Sequence, residues 1–572
     1  MSKRIIASLL LLAFNLTIFA QQIRLNQIGF YANAQKIAIV TESPNKSFSI
    51  INTLNGSVEY SDSLTTPKNW TSSGENVSVA DFSAFKKTGS YYIKVGNSQS
   101  YTFPINQNDL YRNITVWSIK GFYLWRASTK IDSTFAQFEK TNFARKAGHL
   151  DNNVLIHESA ASKNRPAGTI VSNPKGWYDA GDYNLYTVNA SQAVFSLLQL
   201  YENYSSIFDT LPLHIPESNN HLPDVLDEVK WETDWLLGML NPDDSSVYTK
   251  LTSLHFCGMI SPDNDKLPRY MICHSTPATL DFVAMMAKAS RVFRKFDVVY
   301  ADSMLKMAKQ AYAWALRNPC IYYKNPSGVT TGGYGDNDAR DEFMWARTEL
   351  YITTGDSSYF KAADIEKLTY EIPFWRTVQT LGLLSLYQSI DTLPLSVTNK
   401  KFIETTVNSI ANSLVTNTNS SAYRTAIDFF AWGSNGYTAA QGQILLTAYK
   451  HTKDSNYLNA GISILDYLLG RNATGYCFIT GFGYKSPLNL HDRRSEGDGI
   501  NAPLPGYLVG GPNTNAQRDC GPLNYPSKFP AKSYLDLNCS FSTNEIAINW
   551  QGPFAFLAGA IYAELNTAST KK

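Results

Sequence analysis

The chain has 572 residues, and 50 Lys and Arg residues against 48 Asp and Glu residues leave a formal charge of +2. That length suits about two to four domains, and the near-neutral balance excludes a protein that binds nucleic acid through clustered basic residues. Charged residues make up 17% and hydrophobic residues 44%, which excludes a disordered chain. Aromatic residues reach 13%, a fraction that suits either a large packed core or stacking against sugar rings.

Residues 1–20 have the pattern of a cleavable signal peptide. Lys3 and Arg4 precede an apolar run, and Ala20 provides a small residue at the cleavage point. No later stretch reaches about eighteen continuous apolar residues, so no membrane-spanning anchor is expected. The first cysteine is Cys257, which excludes a lipid anchor at the cleavage point. The sequence therefore predicts a protein that is secreted or exported to the periplasm.

Residues 21–106 carry the pattern of short β-strands. Strands are predicted at residues 36–40, 47–53, 91–95 and 101–105. The pairs Asn55-Gly56 and Gly96-Asn97 predict tight turns between them. Several short strands with turn signals over this length are typical of a small β-sandwich. We expect a packing module, because its polar residues form no catalytic arrangement.

From residue 107 to residue 572 apolar residues recur every three or four positions, as in helices. Helices are predicted at residues 110–126, 188–204, 222–240, 277–296, 301–316, 341–354, 377–390, 402–415, 438–451, 457–469 and 546–565. Two long loops, residues 161–184 and 475–544, are the expected place of function, because long ordered loops in compact helical domains usually carry it. These helices predict a mainly α fold that forms an α/α toroid, with the loops lining one end.

The first candidate for chemistry is a pair of carboxylates in the string WYDAGDY, residues 177–183. Asp179 and Asp182 stand three positions apart, which suits two acids that share a cavity and hold a water molecule for attack. The alternative is an ordinary turn or helix N-cap, for which Asp beside Gly is common. Tyr183 and the other flanking rings favour a sugar-sized cleft.

The second and third candidates lie near the end of the chain. In an extended segment His491 and Arg493 would face the same side and donate hydrogen bonds to sugar hydroxyls; the alternative is solvated surface charge. Glu545 opens the predicted helix 546–565, where a Glu in the first turn is ordinary helix-dipole chemistry. Among aromatic side chains that include Trp550, the same carboxyl would have a raised pKa, as a general acid requires.

Other catalytic signatures are missing from the sequence. It contains no HExxH, GxSxG, GxxxxGK[ST] or GxGxxG string, and its six cysteines form no CxxC pair. The cysteines are expected to be buried thiols with one or two disulfides. Hydrolysis by paired carboxylates is the chemistry that remains.

Together these strings resemble glycoside hydrolase family 9, a cellulase family with an (α/α)6 barrel. Residues 177–183 are similar to its aspartate motif, residues 483–493 to its histidine signature, and residues 534–547 to its acid signature. Residues 24–30 resemble the start of the immunoglobulin-like module that often precedes this barrel. Two further strings resemble its loops, at residues 332–336 and 505–513. The resemblance implies an immunoglobulin-like domain at residues 21–106 and a catalytic domain at residues 107–572.

The resemblance also implies roles for the candidate residues. Asp182 would be the general base that deprotonates the attacking water, and Asp179 would help to hold that water. Glu545 would be the general acid that protonates the departing oxygen. The family inverts the anomeric carbon, which requires acid and base carboxyls about 6.5–9.5 Å apart. The residues expected to bind substrate are His491, Arg493, Trp550 and Tyr183.

No cofactor is required for this chemistry. Relatives with the β module often hold a zinc ion through cysteines and histidines upstream of the aspartate motif, but residues 125–128 and 147–150 contain no cysteine. We therefore expect no zinc site. Calcium is frequent in the family, and residues 217–220 with Asp224 offer oxygens for a structural ion. The same loop also has the pattern of an ordinary helix cap.

The expected partner is a β-1,4-linked glucan, bound by a monomer with neither nucleic acid nor a membrane anchor. An endo-acting enzyme on cellulose-like chains competes with one specific for xyloglucan or mixed-linkage glucan, and with an exo-acting enzyme that releases cellodextrins. Two further alternatives are a glucan-binding protein whose site has decayed, and a hydrolase or lyase for another polysaccharide. Asp179, Asp182, His491 and Glu545 together argue against decay.

Overall fold

The computed structural model describes residues 22–514, 519–521 and 525–570, and the predicted leader lies outside them. An N-terminal β-sandwich is followed by a larger helix-rich part. Within the described ranges, no helix combines the length and the apolar composition needed to cross a membrane.

Short antiparallel strands build the sandwich: β1 (Ile23–Arg24), β2 (Phe30–Tyr31), β3 (Ile37–Thr41), β4 (Ser47–Asn52), β5 (Val58–Ser63), β6 (Lys68–Trp70), β7 (Glu75–Asp81), β8 (Gly89–Val95), β9 (Ser98–Gln99) and β10 (Phe103–Asn106). One sheet has the order β1-β3-β7-β6 and the other β2-β10-β8-β4-β5, with β9 on β8 and one parallel pair, β2 with β10. Phe48 and Ile50 alternate into the core between them, as the period of two requires. The predicted strands and the turn at Asn55-Gly56 are confirmed.

The helix-rich part contains α1 (Arg112–Trp125), α2 (Thr187–Phe208), α3 (Asp224–Gly238), α4 (Thr276–Phe293), α5 (Val298–Arg317), α6 (Arg340–Thr354), α7 (Ser357–Ala363), α8 (Gln379–Gln388), α9 (Val397–Ser420), α10 (Ser434–Thr452), α11 (Ser455–Leu468), α12 (Arg493–Gly497), α13 (Phe541–Asn544) and α14 (Ile548–Thr570). Each predicted helix corresponds to one of these. The short helices α7, α12 and α13 were not predicted, because one or two turns give too little periodicity.

Six of these helices pack side by side in sequence order. Helix α2 contacts α4, α4 contacts α6, α6 contacts α8, α8 contacts α10, α10 contacts α14, and α14 returns to α2. Helices α1, α3, α5, α7, α9 and α11 each pack against one or two members of this set. Almost every residue of α4 is buried, as expected for a helix with neighbours on all sides.

A small sheet inside the helix-rich part was missed by the sequence prediction, which had only helices and loops after residue 107. Its strands are β13 (Val154–Ile156), β14 (Ile170–Val171), β15 (Leu185–Tyr186), β16 (Tyr248–Thr252) and β17 (Tyr270–His274), and a separate hairpin joins β11 (Gln137–Phe138) to β12 (Thr141–Asn142). The sheet order is β14-β13-β17-β16-β15. Strands of two to five residues are too short for a period-two pattern to stand out.

A buried polar network joins the sandwich to the helix-rich part. Glu75 on β7 accepts two hydrogen bonds from the Arg24 guanidinium, one from the Tyr423 hydroxyl at 2.6 Å, and pairs with Lys532 at 2.8 Å. The Trp70 ring packs on the Tyr423 ring with centroids 4.4 Å apart. Removing one partner of a buried ion pair leaves the other charge buried and unpaired, which is costly. This network therefore fixes the contact between the sandwich and the helix-rich part.

Candidate active site

The backbone and the side chain of Asp179 are both held in place. Its N–H donates to the Asn184 carbonyl at 3.0 Å, and the Ile548 N–H at the start of α14 donates to the Asp179 carbonyl at 2.8 Å. Asn189 donates to Oδ1 of the carboxyl at 2.8 Å, and the Tyr334 hydroxyl donates to Oδ2 at 2.7 Å. Both oxygens of Asp179 therefore have a donor.

Asp182 is held on one side only. Asn184 Nδ2 at 2.5 Å and the Tyr186 hydroxyl at 3.3 Å both donate to its Oδ2. Its Oδ1 is buried without a hydrogen-bond partner. Burial, and then the negative charge of Asp182, raise the pKa of Asp179 to about 8. The pair thus combines a carboxyl that holds a proton with one that keeps a free oxygen.

Glu545 occupies an extended residue between α13 and α14, with φ −76° and ψ 160°. The prediction that it opens the following helix is wrong, because the chain stays extended there to form a parallel β-bridge with His491. Burial raises the pKa of Glu545 well above its usual range, and the charges of Asp182 and Asp179 raise it further. A carboxyl in this setting keeps its proton to a higher pH than an exposed one and can donate that proton.

His491 has one ring nitrogen engaged and one free for a ligand. Its Nδ1 lies 2.8 Å from the Asn538 carbonyl oxygen. A carbonyl only accepts, so Nδ1 carries the hydrogen and Nε2 of the neutral ring is an acceptor. Burial lowers the pKa of His491 and favours that neutral form. Phe541 packs against the ring with centroids 5.8 Å apart.

Arg493 and Arg494 bind the backbone of the aspartate turn. Arg493 donates to the Gly181 carbonyl at 2.8 Å, and Arg494 donates to the Ala180 carbonyl at 2.8 Å. The prediction that Arg493 shares an extended segment with His491 is wrong, because Asp492 caps α12 and Arg493 is its first residue. In this position Arg493 supports the turn that carries Asp182.

The loop before Glu545 is closed by a disulfide. Cys520 and Cys539 are bonded, in agreement with the expected one or two disulfides. Asp519, beside Cys520, accepts a hydrogen bond from the Ser542 N–H at 2.9 Å in α13. The residue before Cys539 is Asn538, whose carbonyl orients His491.

A cavity of about 410 Å³ opens beside Glu545. Its walls are formed by small and aromatic residues: Ala180, Gly332, Gly333, Tyr334, Phe374, Trp375, Trp432, Glu545, Ala547, Asn549 and Trp550. Trp550 lies against Gly433 and Gly436, where an added methyl would come within 2.6 Å and 2.5 Å of the indole. The Trp432 side chain is 44% exposed and presents a ring to the opening. Flat rings around an acid are a typical sugar-binding surface.

Tyr183 lies away from this cavity. Its ring is buried, its hydroxyl donates to the Ile260 carbonyl at 2.6 Å, and it packs on Tyr178 and His149. It is absent from the cavity walls. The predicted sugar contact of Tyr183 stays a prediction, and its hydroxyl is already engaged.

The sequence analysis did not identify several residues of the site. Asn184 and Tyr186 lie just beyond the aspartate string, and Asn189 follows in the first turns of α2. Tyr334 belongs to a string noted for its resemblance but given no role. Trp432 carried no signal, because a single Trp before a helix is most often a core residue.

The loop predicted to bind calcium does not fit that ion. Both carboxylate oxygens of Glu217 pair with the Arg126 guanidinium, and Asp224 accepts from the Ser218 hydroxyl at 2.6 Å. A fixed positive charge next to the expected ligands repels a cation. Across the described residues, no group of three or more His, Cys, Asp or Glu side chains is arranged to hold a metal ion.

A second cluster of acids lies between α4 and α6. Asp281 is fully buried with both oxygens unpartnered, and Asp336 has one unpartnered buried oxygen. Glu342 is buried beside them. Burial and then the charge of Asp341 raise the pKa values of Asp281 and Glu342 well above their usual ranges. This cluster is costly unless protons or a cation neutralise it.

The raised pKa of Asp179 predicts how the aspartate turn affects stability. A carboxyl whose pKa rises from 3.8 to about 8 on folding binds its proton more tightly in the folded state. Its contribution to stability is therefore present at low pH and is lost as the pH rises from about 4 to about 8. We expect the melting temperature of Asp179→Asn, relative to the unmodified protein, to increase across that range. Asp62→Asn, on the exposed strand β5, is the control; a parallel response of both variants would contradict the assignment.

Comparison with known proteins identifies the family. The profile of Glycosyl hydrolase family 9 matches residues 111–558, and that of the cellulase N-terminal ig-like domain matches residues 19–100. Over 564 residues the chain is 39% identical to the xyloglucan-specific endo-beta-1,4-glucanase BoGH9A of Bacteroides ovatus, covering 95% of this chain and 94% of that protein. It is 34% identical to Endoglucanase D of Acetivibrio thermocellus over 95% of this chain and 84% of the relative.

Solved structures of the same family also match the chain. The fold matches the Bacteroides ovatus GH9 structure with a TM-score of 0.87 and 37% identity, covering 95% of this chain and 99% of that one. It matches the GH family 9 endoglucanase J30 with a TM-score of 0.86 and 29% identity, over 93% of this chain and 99% of that one. The chain therefore belongs to glycoside hydrolase family 9 and carries a cellulase-type immunoglobulin-like module before its catalytic part.

Proposed function

We propose that this protein is a secreted, inverting endo-β-1,4-glucanase with Asp182 as general base and Glu545 as general acid. The observation that carries the proposal is the asymmetry of the two carboxyls. Asp182 keeps a buried oxygen free of donors, while Glu545 has a pKa raised well above its usual range. One group can accept a proton and the other can donate one at the same pH.

The reaction moves two protons in opposite directions. Asp182 Oδ1 takes a proton from a water molecule as that water attacks the anomeric carbon, and Asp179 helps to hold the water. Glu545 gives its proton to the glycosidic oxygen as the carbon–oxygen bond breaks. Attack from the face opposite the leaving group inverts the configuration. Both carboxyls then exchange protons with solvent and return to their starting states.

Other side chains are proposed to bind the sugar or to keep the base in place. His491 would accept a hydrogen bond from a sugar hydroxyl through Nε2, because Nδ1 is engaged by Asn538. Trp550 and Trp432 would stack on sugar rings. Arg493 would act through the Gly181 carbonyl, although the sequence predicted a direct sugar contact.

We propose that the six adjacent helices close an (α/α)6 barrel, with the outer helices as its second layer. The return of α14 to α2 supports closure. A division into domains at residues 21–106 and 107–572, after a leader at residues 1–20, is supported by the change from strands to helices at β10 and α1. The basic and apolar start of the sequence supports export, and a monomer remains the expected state.

Removing either proton-transfer group should lower turnover strongly and leave binding intact. We expect Glu545→Gln and Asp182→Asn each to lower kcat on a soluble β-glucan by about 10²–10⁴-fold, the usual contribution of a positioned acid or base. Affinity electrophoresis in glucan gels should show unchanged retention. Glu366→Gln, an exposed substitution remote from the cavity, is the control for the change in charge. Full activity in Glu545→Gln would remove Glu545 from the mechanism.

The anomer of the fresh product tests inversion in the same preparation. Proton NMR should show the α-anomer first, before mutarotation. A product that starts as the β-anomer would contradict the inverting mechanism while leaving the glucanase activity in place.

The substrate proposed is xyloglucan, a branched β-1,4-glucan. The chain aligns with the xyloglucan-specific relative of Bacteroides ovatus over almost the whole length of both proteins. In this chain the wall near Trp375 contains Gly332 and Gly333, and a methyl added at Gly333 would meet no atom within 4 Å. This open space would accept the branches of a decorated glucan.

We expect kcat/KM on xyloglucan to exceed that on carboxymethylcellulose by about tenfold or more, the scale of discrimination that pocket contacts provide. Internal cleavage should lower viscosity faster than it releases reducing ends. The variant Gly333→Leu should lose activity on xyloglucan but keep activity on linear mixed-linkage glucan. Equal rates on all polymers would contradict the preference, and short oligosaccharides from the first minutes would indicate an exo-acting enzyme.

A further inference from the structure

Lys250 is a buried cation with no carboxylate partner. It lies in the middle of β16, and its ammonium group donates to Asn325 Oδ1 at 3.0 Å, Thr331 Oγ1 at 3.0 Å and the Gly332 carbonyl at 2.7 Å. The ion pairs of the described residues include none to Lys250. Three neutral acceptors use all three donors of an ammonium ion. A buried charge without an opposite charge beside it is costly, so its retention needs a reason.

A chain of hydrogen bonds leads from Lys250 to Asp182. The Thr331 and Thr252 hydroxyls are 2.9 Å apart, the Thr252 hydroxyl donates to Asn184 Oδ1 at 2.8 Å, and Asn184 Nδ2 donates to Asp182 Oδ2. Thr331 accepts from Lys250 and therefore donates to Thr252, whose single hydroxyl hydrogen has two acceptors in reach, Asn184 Oδ1 and the Ser253 carbonyl oxygen at 2.7 Å. With that hydrogen on Asn184, every bond points toward Asp182, and bonds aligned in this manner polarise one another.

The orientation of Asn184 is fixed by the same chain. Its Oδ1 accepts from the Thr252 hydroxyl and from the Ser253 N–H at 3.2 Å. The amide is therefore held with Nδ2 toward Asp182. A reversed amide would place its oxygen against the carboxylate and its N–H groups against two donors.

A second contact links Lys250 to Asp182 through an aromatic ring. The ammonium lies 5.5 Å from the centroid of the Tyr186 ring, and the Tyr186 hydroxyl donates to Asp182 Oδ2 at 3.3 Å. Tyr186 also packs on Gly332, where an added methyl would lie 2.8 Å from its hydroxyl. Lys250 therefore fixes the backbone against which Tyr186 rests.

We propose that Lys250 is a positioning residue for the general base: it anchors and polarises both donors to Asp182 Oδ2, so that Oδ1 is the oxygen left to accept the proton of water. The inference rests on the proposed function and adds a residue with no contact to the substrate. Burial lowers the pKa of Lys250 to about 7, and the charge of Asp182 opposes that change.

Other charged and titratable groups also face Asp182, so the test has to separate Lys250 from them. Asp179 lies in the same turn and Tyr186 in β15. His491 and Arg493 come from the segment at the start of α12, and Glu545 follows α13. None of them is altered by a substitution at Lys250, and each is present in the control variant.

The test compares Lys250→Met with Lys288→Met, in pH profiles of kcat and KM on soluble glucan. Lys288 is another fully buried lysine, on α4, paired with Glu202 and distant from the cavity. We expect Lys250→Met to lower kcat about tenfold with little change in KM. The acid limb of the profile should move to higher pH by about half a unit, because a cation that supports the carboxylate is gone. Lys288→Met should lower the melting temperature without moving the limb.

A second variant keeps the test valid if Lys250→Met does not fold. Thr331→Val retains the charge but breaks the chain, and kcat should fall about threefold or more at unchanged KM. A folded Lys250→Met with the kcat and acid limb of the unmodified enzyme, or Thr331→Val with unchanged kcat, would overturn the inference while the glucanase assignment stands. Absence of turnover by the unmodified protein on every β-glucan would overturn both.

Discussion

The active site depends on the repulsion among three carboxyl groups, Asp179, Asp182 and Glu545, that are buried around one small volume. Like charges at short range and away from water cannot all ionise at neutral pH. Hydrogen-bond donors offset part of this repulsion, and they are distributed unequally. Side chains donate to both oxygens of Asp179 and to one oxygen of Asp182, whereas Glu545 keeps a raised pKa. In the proposed mechanism, the surroundings of each carboxyl, rather than its residue type, separate the proton acceptor from the proton donor.

That unequal distribution requires distant segments to keep their positions. The β-sandwich supports two of them. Gln27 Oε1 accepts the N–H groups of Tyr484 and Lys485, shortly before His491, and Glu75 pairs with Lys532, shortly before Glu545. The module that the sequence indicated only as a packing unit therefore braces the two loops that carry His491 and Glu545. Its contacts are polar and buried, which favours one docking geometry over many.

The sequence was informative where chemistry depends on a local string. The aspartate string, His491 and Glu545 could be located because their neighbours are also constrained. Their conformations could not: Glu545 is extended because it pairs with a segment more than fifty positions earlier, and Arg493 turns to a carbonyl because α12 starts there. Lys250 and Tyr334 gave no functional signal, because each acts through partners far away in the chain.

Three cations among the described residues lie near the proposed base, Asp182, and each reaches it through another group. Arg493 binds the Gly181 carbonyl, Arg494 binds the Ala180 carbonyl, and Lys250 is linked to Asp182 through hydroxyls, an amide and the Tyr186 ring. A direct ion pair would hold the carboxylate in its charged form so strongly that it would accept a proton poorly. Carbonyls and hydroxyls placed between the charges transmit part of the field and leave the base free to react. The proposed positioning role would give a reason for a buried lysine without a carboxylate partner close to the proposed base.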